Sequence, residues 1–116
     1  MKSNEVANLL MKRLDKRQGK DLLAYDISSA SIGADVMIIA TGRNSRHANT
    51  LADEIEELAK DSGLTLASRE GRAAGGWILL DFGSIIVHIM DPQSRDYYAL
   101  ERLWKEYPSL DAVSAY

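Results

Sequence analysis

The sequence predicts a small α/β domain built on a mixed sheet, and three features predict it. Val36 to Ala40 (VMIIA) is a nearly continuous apolar run, the pattern of a central strand covered on both faces. Residues 77–90 (WILLDFGSIIVHIM) read as a hairpin, two strands joined around Phe82-Gly83-Ser84. Between these segments Leu51, Ile55, Leu58 and Ala59 recur at helical spacing, which places a crossover helix between strands.

The elements follow in order. A helix is expected over residues 3–17. Val6, Ala7, Leu10, Met11 and Leu14 form its apolar stripe, and Lys12, Arg13, Lys16 and Arg17 oppose the negative dipole end. Gly19 is its expected stop. Residues 21–27 (DLLAYDI) read as a strand, with Leu22 and Ala24 on one face and Leu23, Tyr25 and Ile27 on the other. SSASIG is a turn-rich link with room for one helical turn. The central strand ends at Thr41-Gly42, and a second helix spans residues 45–61, capped by Asn44 or Ser45 and ended by Ser62-Gly63. Asp53, Glu54, Glu56 and Glu57 are expected on its outer, acidic face. Residues 64–67 are expected to form a short strand, and 68–76 (SREGRAAGG) a flexible connection. After the hairpin, Asp91-Pro92 stops the chain. Residues 94–104 then read as one amphipathic helix with Tyr97, Leu100, Leu103 and Trp104 at helical spacing. Residues 1–107 are expected to be a single domain and 108–116 a loosely held tail.

Composition bounds the function. The chain has 116 residues, 46% apolar and 27% charged, with no cysteine. One compact domain is expected, with no disulfide, thiolate catalysis or thiolate metal site; a reducing, cytoplasmic setting suits it. No apolar run approaches the roughly 20 residues that span a bilayer. Net charge is −3 but uneven: residues 1–20 hold six Lys or Arg and two acids, and the rest hold eight bases and fifteen acids. Such an acidic body suits a basic partner better than nucleic acid. Solvated helix faces explain the charges equally well.

No constellation commits the chain to catalysis. The strand-to-helix junction IIATGRNSRHANT could hold an anion at free helix N–H groups. With one glycine and no phosphate-binding lysine it matches no nucleotide motif, and a capped helix with surface arginines is the plainer reading. His47 and His88 are the chain's two histidines, and a metal site would need a carboxylate converging on both. Asp35 and Asp81 stand at strand ends, but the close acidic pair of a magnesium site is missing; Asp81 has the turn after it to accept hydrogen bonds from. No serine lies in a nucleophile-elbow context. The aromatics Trp77, Phe82, Tyr97, Tyr98 and Trp104 gather in the last third, as either a recognition patch or core.

Taken together, the motifs resemble the ribosomal silencing factor (iojap) family. The matching pieces are D-x-x-x-x-D-I at Asp21 to Ile27 and S-x-x-x-x-x-D at Ser29 to Asp35. I-A-T-G-x-x-S-R-H follows at Ile39 to His47, then A-D-E-I-E at Ala52 to Glu56 and E-G at Glu70-Gly71. W-I-L-L-D-F-G starts at Trp77, I-V-H-I-M precedes Asp91, and R-D-Y-Y-x-L-E-R-L-W ends at Trp104. The resemblance runs over residues 4–107. Where the family commonly has an aromatic after the aspartate at position 35, this chain has Val36 and Met37.

The resemblance implies a mixed sheet flanked by helices, related to the nucleotidyltransferase fold. It implies no turnover, no cofactor and no metal. It implies binding to a protein on the intersubunit face of the large ribosomal subunit, blocking the small subunit and repressing translation when nutrients are scarce. Free members are often dimers. The implied recognition face or its support comprises Trp77, Asp81, Phe82, His88, Arg95, Tyr98, Glu101 and Trp104. Trp77 and Phe82 are expected to give apolar contact, and Asp81, His88 and Glu101 polar contact. Arg95 is expected to bridge Asp81 or Glu101, and Trp104 to be largely core. Ser45, Arg46 and His47 form a second candidate patch. Two competing classes remain at this stage, a nucleotide- or anion-using enzyme and an RNA-binding module using the first helix.

Overall fold

The computed structural model of the chain describes residues 3–110. Helix α1 (Ser3–Lys16) buries the whole predicted stripe, Val6, Ala7, Leu10, Met11 and Leu14. Its end is made by Gln18, at φ 67°, while the Gly19 N–H closes onto the Leu14 carbonyl at 2.7 Å. Strand β1 (Lys20–Asp26) enters with Asp21 at φ 48° and a register shift between Lys20 and Leu23, a bulge that bends it onto its neighbour. Ser28–Ala30 make the single helical turn expected there. Strand β2 (Val36–Thr41) is buried at all six positions, as a strand covered on both faces must be.

Helix α2 (Ser45–Asp61) follows, with Asn44 accepting a hydrogen bond from the His47 N–H at 2.8 Å. Its acidic residues are not a merely solvated face. Glu54 takes Arg13 of α1 at 2.9 Å and Arg17, just past its end, at 3.3 Å, and Arg69 bridges Asp53 and Glu56. Sheet and helices are thus tied laterally by ion pairs that sit above the apolar layer.

The strand expected at 64–67 does not form. Leu64 and Leu66 pack against the core without joining the ladder, and strand β3 (Ser68–Arg72) lies instead in the supposed flexible connection. Polar composition hid it because β3 is an edge strand, with polar and charged residues where an inner strand would be apolar. Strands β4 (Trp77–Asp81) and β5 (Ile85–Met90) form the predicted hairpin, with Gly83 at φ +82° in its turn. The order is β1-β2-β5-β4-β3. β2 and β5 pair in parallel and the other neighbours antiparallel, because the chain returns to β5 through α2, β3 and β4.

The last expected helix is two. Helix α3 (Pro92–Tyr98), capped by Asp91, stops where Ala99 turns to φ 45°, and α4 (Glu101–Trp104) sets off afresh. The break separates the supposed stripe: Leu100 and Trp104 pack inward, while Tyr97 and Leu103 stay 81% and 68% exposed. Past residue 107 the chain stays on the sheet. The Pro108 carbonyl accepts from the Asp26 N–H, and the Leu110 N–H donates to the Ala24 carbonyl, so the chain pairs with the edge of β1. The rest of the supposed tail, 111–116, lies outside the described residues. Among the described residues no helix is long and apolar enough to cross a membrane.

Strand alternation sends Ile78, Leu80, Ile85, Val87 and Ile89 toward α1 and α2, where the main core forms. Tyr25, Ile27, Met37, Ile39 and Met90 belong to a second, smaller cluster, packed with Leu100, Trp104 and Tyr107. Burial of each large aliphatic side chain contributes about 1.5–3 kcal/mol, so the α1–α2 side carries most of the stability. The second face is less completely covered, and it carries the candidate site.

Candidate functional site

Trp77, Leu79 and Asp81 project from β4 to this second face, beside Ile86, His88 and Met90 of β5, by the alternation of paired strands. Leu79, Asp81, Ile86 and Trp77 remain partly exposed. Near them Glu70, Gly71, Arg72 and Gly75 complete a shallow depression of about 350 Å³ with Trp77 and Leu79.

The centre is an aromatic group held by a hydrogen bond. The Trp77 Nε1–H donates to His88 Nδ1 at 3.0 Å, so that nitrogen carries the lone pair and the imidazole is neutral. Burial pushes the His88 pKa down from 6.5 to about 4, which keeps it an acceptor at neutral pH. Tyr98 packs on Trp77 with ring centroids 4.8 Å apart, and Tyr97 meets Tyr98 edge-on at 5.0 Å. Tyr98 is half exposed. A rigid sheet thus supports a row of aromatic rings whose outer members face solvent.

Arg95 anchors the helical segment that carries the tyrosines. Its side chain is 7% exposed; Nη1 donates to Thr41 Oγ1 at 2.8 Å, and Nε lies 3.3 Å from a Glu101 oxygen. Of the two expected partners it takes Glu101, not Asp81. Asp81 accepts from the Gly83 N–H at 2.8 Å in the turn. The sharp turn between β3 and β4 also needs Gly76, at φ +84°, where a Cβ would meet the Asp91 carboxylate at 2.8 Å and collide with the Ser94 hydroxyl.

The expected face is therefore partly redistributed. Trp77, His88 and Tyr98 come together, with Asp81 farther along the same face, and Arg95 pairs with Glu101. Trp104 is half-buried against Tyr107, at 5.6 Å between centroids. Phe82 does not give surface contact: it is 6% exposed and belongs to the main core on the opposite side, because its neighbour Asp81 takes the outward position. Leu79, Ile86 and Glu70 were not anticipated; counting alternate positions from Trp77 would have found Leu79.

The second candidate patch divides as well. Ser45 and Arg46 are exposed, but His47 is 6% exposed, accepting from the Arg43 N–H at 3.0 Å and meeting the Arg17 carbonyl at 2.8 Å. With Asn44 capping the helix, this junction is a structural lock between α1 and α2. Asp81 and His88 do not converge, since Asp81 stands opposite Ile86 and His88 opposite Leu79. Among the described residues no group of three or more His, Asp or Glu side chains could hold a metal ion.

Fold and face together make a small α/β domain that presents an aromatic sheet surface. The family profile described as "Ribosomal silencing factor during starvation" matches residues 1–115, and the chain belongs to that family. The ribosomal silencing factor of Chromobacterium violaceum is 36% identical over 115 residues, covering 99% of this chain and 94% of that one. A crystal structure of a protein from Chromobacterium violaceum superposes with a TM-score of 0.85 at 35% identity, covering 90% of this chain and 88% of that chain. A mouse protein named "Mitochondrial assembly of ribosomal large subunit protein 1" is 26% identical over 100 residues, 84% of this chain and 44% of that one.

Proposed function

We propose that the protein acts in the cytoplasm by docking, through the open face around Trp77, on a protein of the large subunit's intersubunit surface. Held there, it keeps the small subunit from joining and so lowers translation when nutrients are scarce. The observation that carries this reading is the aromatic row of Trp77, Tyr98 and Tyr97 on a rigid sheet, left partly uncovered by the chain itself. Aromatic side chains ordered in advance bury large areas with little further loss of entropy, which is what interface hot spots require. Glu70, Arg72 and Asp81 supply the polar rim. Family membership and the mouse relative's name both point to ribosomes as the setting.

The action is steric. Two ribosomal surfaces that meet at hydrogen-bonding distance cannot close over a body about 28–31 Å across. The reading needs no turnover. The expected kinship with nucleotidyltransferases is, on this reading, one of architecture, because activity resides in sites rather than folds. A homodimer formed through the same face would compete with docking.

Sedimentation with isolated large subunits tests the docking. Wild-type protein should co-migrate with them, and Leu79→Arg should remain at the top of the gradient with an unchanged melting temperature. Wild-type protein that stays at the top, or Leu79→Arg protein that co-migrates as wild type does, overturns the reading.

A further inference from the structure

One end of the molecule gathers positive charge that the aromatic face does not use. The His47 ring links the Arg43 N–H to the Arg17 carbonyl, so the end of α1 and the start of α2 are fixed side by side. Lys20 stands in register with Thr41, at the same end of the sheet. Lys12, Lys16, Lys20, Arg43 and Arg46 are all exposed, and none has a carboxylate partner among the described residues. Arg43 reaches only the neutral Gln18 side chain, at 3.5 Å. Nearby, Arg13 and Arg17 share the single carboxylate of Glu54, so that cluster too keeps a positive surplus. Asp15 and Asp21 are the acids interspersed in the same stretch, and they leave the balance positive.

We propose that this basic end grips RNA phosphates beside the site where the aromatic face docks, a second contact that rests on the ribosome-docking reading above. Two arguments favour RNA over an acidic protein. The exposed large apolar side chains are Leu9, Ile32, Tyr97, Tyr98 and Leu103, and none falls within residues 12–20 or 42–50. Among the described residues the end therefore offers one weakly exposed apolar side chain, Leu9 at 37% a turn before Lys12, and no aromatic anchor of the kind a protein partner would use. It offers arginine, lysine and Ser45, groups that hold a phosphate backbone. Second, the end is continuous with the docking face. Lys20, Thr41, Met90 and Trp77 form one row across the sheet, each in register with the next. A partner seated on Trp77 brings its surroundings toward Lys20 and Arg43. The acidic remainder of the chain resists indiscriminate RNA binding, so the basic end acts only once docking has brought RNA near.

The test is the salt dependence of binding to isolated large subunits at fixed magnesium, for wild type and for the variant carrying Lys16→Gln, Lys20→Gln, Arg43→Gln and Arg46→Gln. All four side chains are exposed, and an unchanged melting temperature checks that the fold survives. Each lost phosphate contact lowers the slope of log affinity against log salt by about 0.7–0.9. The variant should therefore show a slope shallower by about 3, and an affinity at least about tenfold weaker at low salt. A photo-crosslinker at position 46 should label ribosomal RNA. An unchanged slope and affinity, or crosslinks to protein alone, overturns the proposal while leaving the docking reading in place. No binding by wild type overturns both; loss of binding by Leu79→Arg with an unchanged slope in the four-site variant overturns the RNA contact alone.

Discussion

His88 makes the stability of the aromatic face depend on pH, in a direction the geometry fixes. Its Nδ1 accepts the Trp77 N–H, and burial lowers its pKa from 6.5 to about 4. In the unfolded chain the imidazole keeps its ordinary value. Between these values the unfolded chain binds a proton that the folded chain refuses, so stability is full above pH 6.5 and falls as pH drops toward 4. The displacement corresponds to about 3 kcal/mol once pH is below both values, and to about 2 kcal/mol between pH 7 and pH 5. The measurement is urea unfolding followed by tryptophan fluorescence at the two pH values, for wild type and His88→Gln. The glutamine carbonyl can accept the same hydrogen bond but does not titrate. All other groups are common to both proteins and cancel in the comparison. Wild type should lose about 2 kcal/mol more than the variant. Equal losses would refute the claim that a buried neutral imidazole supports Trp77.

The Arg95–Glu101 pair is asymmetric, and its variants should show it. Glu101→Ala strands a guanidinium whose side chain is 7% exposed, for about 3 kcal/mol, whereas Arg95→Met frees a glutamate 34% exposed that can rehydrate, for about 1–2 kcal/mol. Urea titration giving the reverse order would contradict the burial argument. Gly76→Ala places a Cβ against Asp91 and Ser94 at φ +84°, and a thermal melt should register a loss of about 2–3 kcal/mol. Asn44→Ala removes the cap of α2 and should lower stability by about 1 kcal/mol by the same assay.

The legible parts of the fold were those with a strong hydrophobic period. The stripe of α1, the apolar run of β2 and the β4–β5 hairpin each announce their own burial, and their boundaries followed closely. β3 was misread because an edge strand is specified by the backbone of its neighbour rather than by its own polar side chains. The α3–α4 break was invisible for a different reason: Tyr97, Leu100, Leu103 and Trp104 keep helical spacing through Ala99, and nothing local marks its left-handed turn. At the site, motif resemblance named Trp77, His88 and Tyr98 together, but only strand register separates Phe82, which faces the main core, from Asp81 beside it. The Arg95–Thr41 bond spans 54 residues, a contact that spacing along the chain cannot anticipate.

The central claim is that occupation of the large subunit prevents subunit joining, and light scattering tests it most directly. Large subunits would be preloaded with the protein and mixed with small subunits at magnesium that favours association. The account predicts that the association signal falls in proportion to occupancy and returns with Leu79→Arg. A full association signal from large subunits shown to carry the protein would contradict it.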